Sequence, residues 1–547
     1  MATCNRRRAA LLPPAVFLSL LVLLTSVLPL AAQEVFTAAH VAKLRRVTQA
    51  VISPDGQRIA YVLAVPRRPL EDEDGPAWAE LHVVDRSGNS RPFVTGPVNV
   101  SGVAWTPDGG AISFLAKRGH EEHTSLYLIP VDGGEGRRVL SHGSDIQGYS
   151  WSPDGQRVAF LATEPKPEEK KKLEKKGFNQ EIYEEELRPV RVWIATLEEE
   201  TKPRMLELEG SASELHWSPV DNRLALALAP TALIDDHYMR RKVHVVDADS
   251  GEILARLDNP GKLGQLAWSP DGNHLALISG LDLNDPLEGR LMVAPAGGGP
   301  LQNLLPGYEG HVSALAWEDA DTLLFLGDEG VWTTFNEIRR DATARKTILA
   351  PDLPKLTPPF ILTDFSLSRD GQAAAFLGET PRHPSEVVFM QHGDEGPRRL
   401  TDSNPWLANM RFARQEVTTY SARDGLRLEG ILIWPLEEER AQLYPLILKV
   451  HGGPEAHYRN GWLTSYSSPG QLAAARGFAV YYPNYRGSTG RGVEFSKLSQ
   501  GDFAGKEFDD LVDAVDDHLA YIGLVDPDRV GITGGSYGGF ASAWGAT

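Results

Sequence analysis

Short apolar runs separated by polar turns repeat along the chain from Gln33 onwards. Most turns read as an apolar residue or Trp, then Ser or Thr, Pro, Asp and Gly, as in Trp151-Ser152-Pro153-Asp154-Gly155. In such a turn Pro sets the first backbone angle, Asp bonds back to the backbone, and Gly closes the turn. Seven copies occur, marked by Asp55, Asp108, Asp154, Asp221, Asp271, Asp321 and Asp370.

The spacing of these markers predicts the architecture of the first domain. Successive markers are 53, 46, 67, 50, 50 and 49 residues apart, and β-rich runs such as Val158-Ala159-Phe160-Leu161 follow the turns. Four short antiparallel strands at a period near 50 residues form one propeller blade. We therefore predict a seven-bladed β-propeller of four-stranded blades over residues 33–410. A sandwich of unrelated hairpins is the alternative, and seven copies in phase argue against it.

The longest spacing contains an insertion, residues 164–191, which is rich in Lys and Glu. Charge runs of this kind are usually solvated excursions from a fold. The functional alternative is that Glu184, Glu185 and Glu186 present carboxylates to a substrate amine.

The pattern changes near Arg411. Residues 444–450 are almost continuously apolar, which is typical of a strand that is buried on both faces. A helix ending at Gly477, a strand over 478–482 and an amphipathic helix over 507–522 follow. The apolar stripe of that last helix is expected to comprise Phe508, Leu511, Val512, Val515, Leu519 and Ile522. Alternation of strands and helices predicts an α/β sheet, and we assign 411–547 to the N-terminal part of an α/β-hydrolase domain.

The first 32 residues differ from both regions. Arg6, Arg7 and Arg8 precede an apolar run from Leu11 to Leu30, and small residues stand before Gln33. This pattern predicts a secretory signal peptide, residues 1–32, and a secreted or periplasmic protein. An uncleaved N-terminal anchor is the alternative, because the run approaches the length that spans a bilayer.

Composition and charge exclude some classes of function. The chain carries 55 basic and 73 acidic residues, a net charge of −18, which argues against nucleic acid or an anionic membrane surface as the main partner. Its one cysteine, Cys4, lies in the predicted signal peptide, so residues 33–547 contain no disulfide, thiol nucleophile or cysteine metal site.

Residues 529–544 contain the strongest candidate for catalysis. An apolar strand ends in Gly534-Gly535-Ser536-Tyr537-Gly538, and a helix is predicted to follow. A Gly-x-Ser-x-Gly sequence between a strand and a helix predicts a nucleophile elbow, in which glycines leave room for a sharply turned serine. We predict Ser536 as the nucleophile.

A second glycine motif follows the strand that ends at Val450. In His451-Gly452-Gly453-Pro454 the backbone can face a substrate carbonyl without an intervening side chain. We assign the two oxyanion-hole donors to the backbone N–H groups of Gly453 and Tyr537. The loop Asn484-Tyr485-Arg486-Gly487-Ser488 is interpreted as structural.

Taken together, these motifs resemble the prolyl oligopeptidase family of serine peptidases. His-Gly-Gly-Pro, Asn-Tyr-Arg-Gly-Ser and Gly-Gly-Ser-Tyr-Gly-Gly behind a propeller look most like its acylaminoacyl-peptidase and bacterial dipeptidyl-peptidase branch. The resemblance implies hydrolysis of short peptides, access limited by the propeller, and no metal or organic cofactor. It leaves the oligomeric state and the substrate preference open.

The chain departs from the family in one respect. An α/β-hydrolase triad runs Ser, Asp, His along the sequence, and the eleven residues from Tyr537 to Thr547 contain no acid and no histidine. A serine without a general base is a weak nucleophile. We therefore expect the 547-residue chain by itself to be inactive and its C-terminal part to fold poorly. A carboxylic-ester hydrolase and a peptide- or polysaccharide-binding propeller with an inactive hydrolase remnant remain as alternatives.

Overall fold

The computed structural model describes residue 1 and residues 33–197, 202–352 and 359–547. The predicted signal peptide, together with Cys4, lies outside the described residues. Seven four-stranded antiparallel sheets are followed by one five-stranded mixed sheet. The predicted fold class, a seven-bladed β-propeller followed by an α/β-hydrolase region, is confirmed. The boundary between residues 410 and 411 stays a prediction.

Each blade is formed by four consecutive strands. Blade 1 contains β1 (Arg46–Ile52), β2 (Arg58–Val65), β3 (Trp78–Asp85) and β4 (Ser90–Val94). Blade 2 contains β5 (Ser101–Trp105), β6 (Ala111–Ala116), β7 (Ser125–Pro130) and β8 (Arg137–Leu140). Blade 3 contains β9 (Ile146–Trp151), β10 (Arg157–Thr163), β11 (Val190–Thr196) and β12 (Arg204–Met205). Blade 4 contains β13 (Ser211–Trp217), β14 (Arg223–Ala229), β15 (Lys242–Asp247) and β16 (Ile253–Leu257).

The remaining three blades follow the same order. Blade 5 contains β17 (Leu263–Trp268), β18 (His274–Ser279), β19 (Arg290–Pro295) and β20 (Gln302–Asn303). Blade 6 contains β21 (His311–Trp317), β22 (Thr322–Glu329), β23 (Trp332–Arg339) and β24 (Lys346–Leu349). Blade 7 contains β25 (Ile361–Leu367), β26 (Ala373–Thr380), β27 (His383–Gln391) and β28 (Arg398–Arg399). Blade 7 meets blade 1 through Ser366, whose hydroxyl accepts a hydrogen bond from the backbone of Ile52.

The repeated turns have the predicted chemistry, with one correction. In most copies an Asp carboxylate accepts a hydrogen bond from the backbone N–H two residues later, as Asp271 does from Asn273 at 3.1 Å. In blade 6 this acceptor is Asp319, which bonds the N–H of Asp321 at 2.7 Å, so the marker assigned to Asp321 was wrong. The degenerate sequence of that turn concealed the shift of two residues.

Tryptophans at the ends of inner strands connect neighbouring blades. The indole N–H groups of Trp105, Trp268 and Trp317 donate to backbone carbonyls of the preceding blade, at 2.9, 3.1 and 3.1 Å respectively. Each ring is also largely buried. The tryptophan of the repeat therefore packs the ring of blades together, besides ending a strand.

The insertion in blade 3 contains a helix, Glu168–Glu174, followed by turns. Within the predicted substrate-binding run, Glu186 forms an ion pair with Lys170, and Glu184 is exposed in a left-handed backbone conformation, φ 67°. The role of this run in binding a substrate amine stays a prediction.

The hydrolase sheet contains β29 (Gln415–Ser421), β30 (Arg427–Ile433), β31 (Tyr444–Val450), β32 (Ala479–Asn484) and β33 (Val525–Gly534). Their spatial order is β29-β30-β32-β31-β33, and β31 runs parallel to both of its neighbours. Within the described residues β33 pairs on one side only, and Val530, Phe540 and Trp544 near it are 38%, 45% and 51% exposed. That the C-terminal part folds poorly stays a prediction.

Helices cover the sheet and link the domains. The described ones are Ala38–Val41, Glu168–Glu174, Ile234–Met239, Gly470–Ala474, Val493–Ser496, Lys506–Asp513 and Tyr537–Gly545, with a 3₁₀-helix over Pro405–Asn409. The predicted helix over 507–522 is instead an α-helix over Lys506–Asp513 continued by a π-helix over Ala514–Leu519. No helix among the described residues is both long and apolar enough to cross a membrane.

The buried face of that helix is the second correction. Ile522, assigned to its apolar stripe, is 46% exposed, whereas the carboxylates of Glu507, Asp510 and Asp513 are buried. Asp510 and Asp513 form ion pairs with Arg486 and Arg423. Because these partners lie at least 24 residues away in sequence, the periodic pattern could not reveal that acidic side chains face inward.

Candidate active site

Ser536 occupies the sharp turn between β33 and the helix Tyr537–Gly545, which we call the elbow helix. Its backbone has φ 52° and ψ −120°, a conformation that a residue with a Cβ rarely adopts. The residue is exposed. A strand, a strained serine and a helix thus follow one another in the order that the sequence predicted.

The glycines on either side of Ser536 provide space. A Cβ at Gly534 would lie 2.5 Å from the carbonyl oxygen of Val450, and a Cβ at Gly538 would lie 2.2 Å from the same atom. Neither glycine has a positive φ. The prediction that glycines are needed here holds for steric reasons, while the unusual backbone angle belongs to the serine itself.

The loop after β31 approaches the serine side chain. A Cβ at Gly452 would lie 3.1 Å from the Cβ of Ser536 and 3.7 Å from its Oγ. A side chain at this position would therefore crowd the side chain of Ser536. Gly453 follows in a left-handed conformation, φ 114°. Within the described part of the chain, the backbone N–H groups of Gly453 and Tyr537 donate no hydrogen bond.

Tyr537 is held by a carboxylate that sequence analysis did not single out. The Tyr537 hydroxyl donates to Oε1 of the buried Glu507 at 2.5 Å. Burial and this hydrogen bond raise the pKa of Tyr537 well above its usual range. The bond connects the elbow helix to the helix Lys506–Asp513 and fixes the residue that follows the serine. In the sequence Glu507 is only a glutamate within a predicted amphipathic helix, and this position by itself does not indicate a contact with Tyr537.

The three upstream histidines near the hydrolase motifs are engaged elsewhere. His451 Nε2 lies 3.0 Å from Ser488 Oγ, and the ring stacks on Tyr485 at a centroid distance of 4.3 Å. Burial lowers the pKa of His451 to about 4. His457 Nδ1 lies 2.8 Å from Thr489 Oγ1, and His518 stacks on Tyr420. Among the described residues, no histidine forms a hydrogen bond with Ser536.

The loop 484–488 makes internal contacts, as its structural interpretation predicted. Arg486 donates to both carboxylate oxygens of Asp510, at 2.9 and 2.6 Å, and it also pairs with Asp424. Ser488 supports His451 at the start of the glycine loop. A buried, bidentate pair of this kind fixes the loop beside the site, and bonds to Asp510 and Asp424 engage Nε and both terminal nitrogens of the guanidinium.

Comparisons with known proteins agree with this geometry. Residues 464–547 match the model of the prolyl oligopeptidase family. The chain is 28% identical to the uncharacterized peptidase YuxL of Bacillus subtilis, over 94% of this chain and 80% of that protein. It is 24% identical to dipeptidyl-peptidase 5 of Porphyromonas gingivalis, over 92% of this chain and 75% of that protein.

A solved structure shares the whole architecture. An acylaminoacyl peptidase in complex with Z-Gly-Gly-Phe-chloromethyl ketone superimposes with a TM-score of 0.74 at 18% identity, covering 93% of this chain and 76% of the other. At that identity the likeness concerns the fold. The family match over residues 464–547, together with the propeller and the α/β-hydrolase sheet, makes the chain similar to the prolyl oligopeptidase family of serine peptidases.

Proposed function

We propose that the protein hydrolyses peptide bonds in short peptides as a dipeptidyl- or acylaminoacyl-peptidase, with Ser536 as its nucleophile. The observation that carries this proposal is the exposed Ser536 at φ 52°, between β33 and the elbow helix and beside Gly452. The names of the relatives, dipeptidyl-peptidase 5 and acylaminoacyl peptidase, support the substrate class.

The proposed reaction is acyl transfer in two steps. Ser536 Oγ attacks the scissile carbonyl, its proton passes to a general base, and the amine leaves with a proton to give an acyl-enzyme. The negative charge that develops on the carbonyl oxygen is stabilised by the N–H groups of Tyr537 and Gly453. Water then hydrolyses the ester. The base that accepts the proton is a group other than His451, His457 and His518 in the arrangement described above.

The decisive experiment combines covalent labelling with turnover in the natural gene product. A fluorophosphonate should label Ser536, and fluorogenic dipeptidyl and N-acyl-aminoacyl amides should be cleaved. Ser536→Ala should abolish labelling and lower kcat by about 10⁶-fold, the size of effect for a nucleophile. Ser542→Ala is the matched control. Ser542 lies in the elbow helix that follows Ser536, and its hydroxyl donates to the carbonyl of Gly538 at 2.6 Å.

The outcomes separate the alternatives. Cleavage of small esters without cleavage of amides would favour a carboxylic-ester hydrolase. Peptide binding without labelling at Ser536 would favour a binding propeller with an inactive hydrolase remnant. Equal turnover in the Ser536→Ala variant and the wild type would overturn the proposal.

We also propose export from the cytoplasm. Arginines followed by an apolar run at residues 6–30 support a secreted or periplasmic enzyme. N-terminal sequencing of the protein recovered from the native host should begin near Gln33. A mature protein that begins at Met1 in the cytosol would contradict this proposal.

A further inference from the structure

An ion pair between a buried aspartate and a partly exposed arginine joins the propeller to the hydrolase domain close to the candidate active site. Arg459, in the loop after β31, donates through Nε to Asp328 Oδ1 at 2.8 Å and through Nη2 to Oδ2 at 2.6 Å. Asp328 lies in β22 of blade 6 and is 0% exposed. The bidentate geometry fixes the direction of the guanidinium as well as its distance.

Arg459 belongs to the same short segment as the glycine loop. Only five residues lie between it and Gly453. Its neighbour Tyr458 forms two backbone hydrogen bonds with the side chain of Asn484. The N–H of Tyr458 donates to Asn484 Oδ1 at 2.8 Å, and its carbonyl accepts from Asn484 Nδ2 at 3.0 Å. The ring of Tyr458 also packs edge-on against His451, the residue that precedes the two glycines. Displacement of Arg459 therefore acts on the glycine loop through rigid contacts.

Two further propeller groups hold this segment beyond Arg459. The backbone N–H of Asn460 donates to the carbonyl of Val331 in blade 6 at 2.8 Å. The N–H of Trp462 donates to Glu379 Oε1 of blade 7 at 3.1 Å. Residues 451–462 thus lie between the hydrolase sheet at one end and two propeller blades at the other.

The neighbours of Asp328 leave Arg459 as its charged partner. His457 Nε2 lies 3.8 Å from Asp328 Oδ2, and burial lowers the pKa of His457 to about 3, so this ring is neutral at physiological pH. His311 pairs with Asp328 across the β21–β22 ladder, and burial lowers its pKa to about 4. If the aspartate charge is removed, the guanidinium loses the carboxylate that it contacts at both Nε and Nη2, and residues 451–462 lose this attachment to blade 6.

We propose that Asp328 is a positioning residue for acyl transfer: through Arg459 it holds the glycine loop so that the Gly453 N–H points at the carbonyl oxygen of the substrate. This inference rests on the proposed function. It assigns the propeller a part in catalysis besides limiting access, since one of its blades fixes the geometry of the oxyanion hole. A hydrogen-bond donor that is displaced by a fraction of an ångström loses much of its effect on the transition state.

The chain offers a matched control for the test. Lys497 and Asp282 form a second ion pair between the hydrolase domain and the propeller, at 2.8 Å, but the Asp282 side chain is 47% exposed and neither residue belongs to residues 451–462. Asp328→Asn and Asp282→Asn each remove one carboxylate charge from the domain interface. Only the first should act on the glycine loop.

The first measurement is hydrogen–deuterium exchange of residues 451–462. In Asp328→Asn, exchange at the amides of Tyr458 and Asn460 should accelerate by about tenfold or more, the factor expected when one net hydrogen bond is lost. Asp282→Asn should leave these amides unchanged. Arg459→Lys, which keeps the charge but loses the bidentate geometry, should give an intermediate acceleration and serves if Asp328→Asn does not fold.

The second measurement is steady-state kinetics of the natural gene product. Asp328→Asn should lower kcat by about 10- to 100-fold, with KM changed by less than about threefold, because the lost interaction acts mainly in the transition state. Equal effects of Asp328→Asn and Asp282→Asn, or unchanged exchange in residues 451–462, would overturn the inference. A wild type without turnover contradicts the proposed function instead, and the exchange data still decide whether Asp328 holds the loop.

Discussion

The propeller turns and the proposed nucleophile elbow at Ser536 both place serine and glycine in tight turns, but the two serine hydroxyls have opposite surroundings. In the turn of blade 5, the fully buried Ser269 donates to Asp271 Oδ1 at 2.5 Å and accepts from the N–H of His274 at 2.9 Å. Its hydroxyl therefore serves as both a donor and an acceptor. Ser536 in the elbow is exposed, and its hydroxyl forms no hydrogen bond among the described residues.

This difference has a structural origin. In the propeller turns an aspartate two residues later supplies the acceptor, and a glycine takes the left-handed conformation, as Gly272 does at φ 69°. In the elbow the serine itself takes the left-handed conformation, which directs its side chain away from the backbone that could bond it. The exposed hydroxyl thus accompanies an unusual backbone conformation, whereas the buried hydroxyl satisfies local polar groups.

The largest expected effect comes from filling the space beneath the elbow. In Gly538→Ala the new Cβ would meet the carbonyl oxygen of Val450 at 2.2 Å. Because that atom belongs to a buried strand and cannot move aside, we expect a loss of about 3 kcal/mol in unfolding free energy. Labelling of Ser536 by a fluorophosphonate should be lost as well. Thermal unfolding and labelling of the natural gene product would measure both.

Gly535→Ala is the control for that experiment. No atom lies within 4 Å of a Cβ at Gly535, and its φ is negative, so the variant should lose less than about 1 kcal/mol. Similar losses in the two variants would mean that close packing against Val450 does not explain the glycines of the elbow.

A smaller effect should separate the two kinds of serine by stability. Ser269→Ala removes the acceptor of a buried N–H and the donor to Asp271, and should cost about 1–3 kcal/mol. Ser536→Ala removes no hydrogen bond within the described residues and should change stability by less than about 0.5 kcal/mol. Comparison of melting temperatures tests this, and a Ser536→Ala variant as unstable as Ser269→Ala would show that the elbow hydroxyl is structural.

The same contrast explains what sequence could predict. The blades were recognisable because the Ser, Asp and Gly of each turn interact within five residues, so their spacing survives as a repeat. The elbow was recognisable for the same reason, since Gly534, Ser536 and Gly538 act within one turn. Where the repeat is degenerate, as at Asp319 and Asp321, the sequence did not show which aspartate accepts the backbone hydrogen bond.

Contacts between distant segments could not be predicted in this way. Glu507 supports Tyr537 from 30 residues away, and Asp328 holds Arg459 from 131 residues away. The inter-blade bonds of Trp317 and its counterparts also require the neighbouring blade. In each case the sequence shows an ordinary charged or aromatic residue, and its partner is brought near only by the folding of the hydrolase sheet, the closure of the ring or the docking of the domains.

The smallest expected effect is an acid sensitivity that belongs to the propeller turns. Hydrogen bonds from Ser269 and from the backbone lower the pKa of Asp271 to about 2, from an ordinary value of 3.8. A carboxylate with a depressed pKa stabilises the fold above pH 3.8, and this contribution is lost as the pH falls towards 2. Because Asp271 is exposed, we expect this contribution to the free energy of unfolding to be less than about 1 kcal/mol.

Asp271→Asn keeps an acceptor but cannot titrate. The stability difference between wild type and variant, followed by thermal unfolding, should therefore be constant above pH 5 and shrink between pH 4 and 2. A difference that does not change over that range would mean that the short Ser269–Asp271 bond does not favour the charged carboxylate. The hydroxyl of the turn serine would then contribute less to stability than its geometry indicates, and the contrast with Ser536 would weaken.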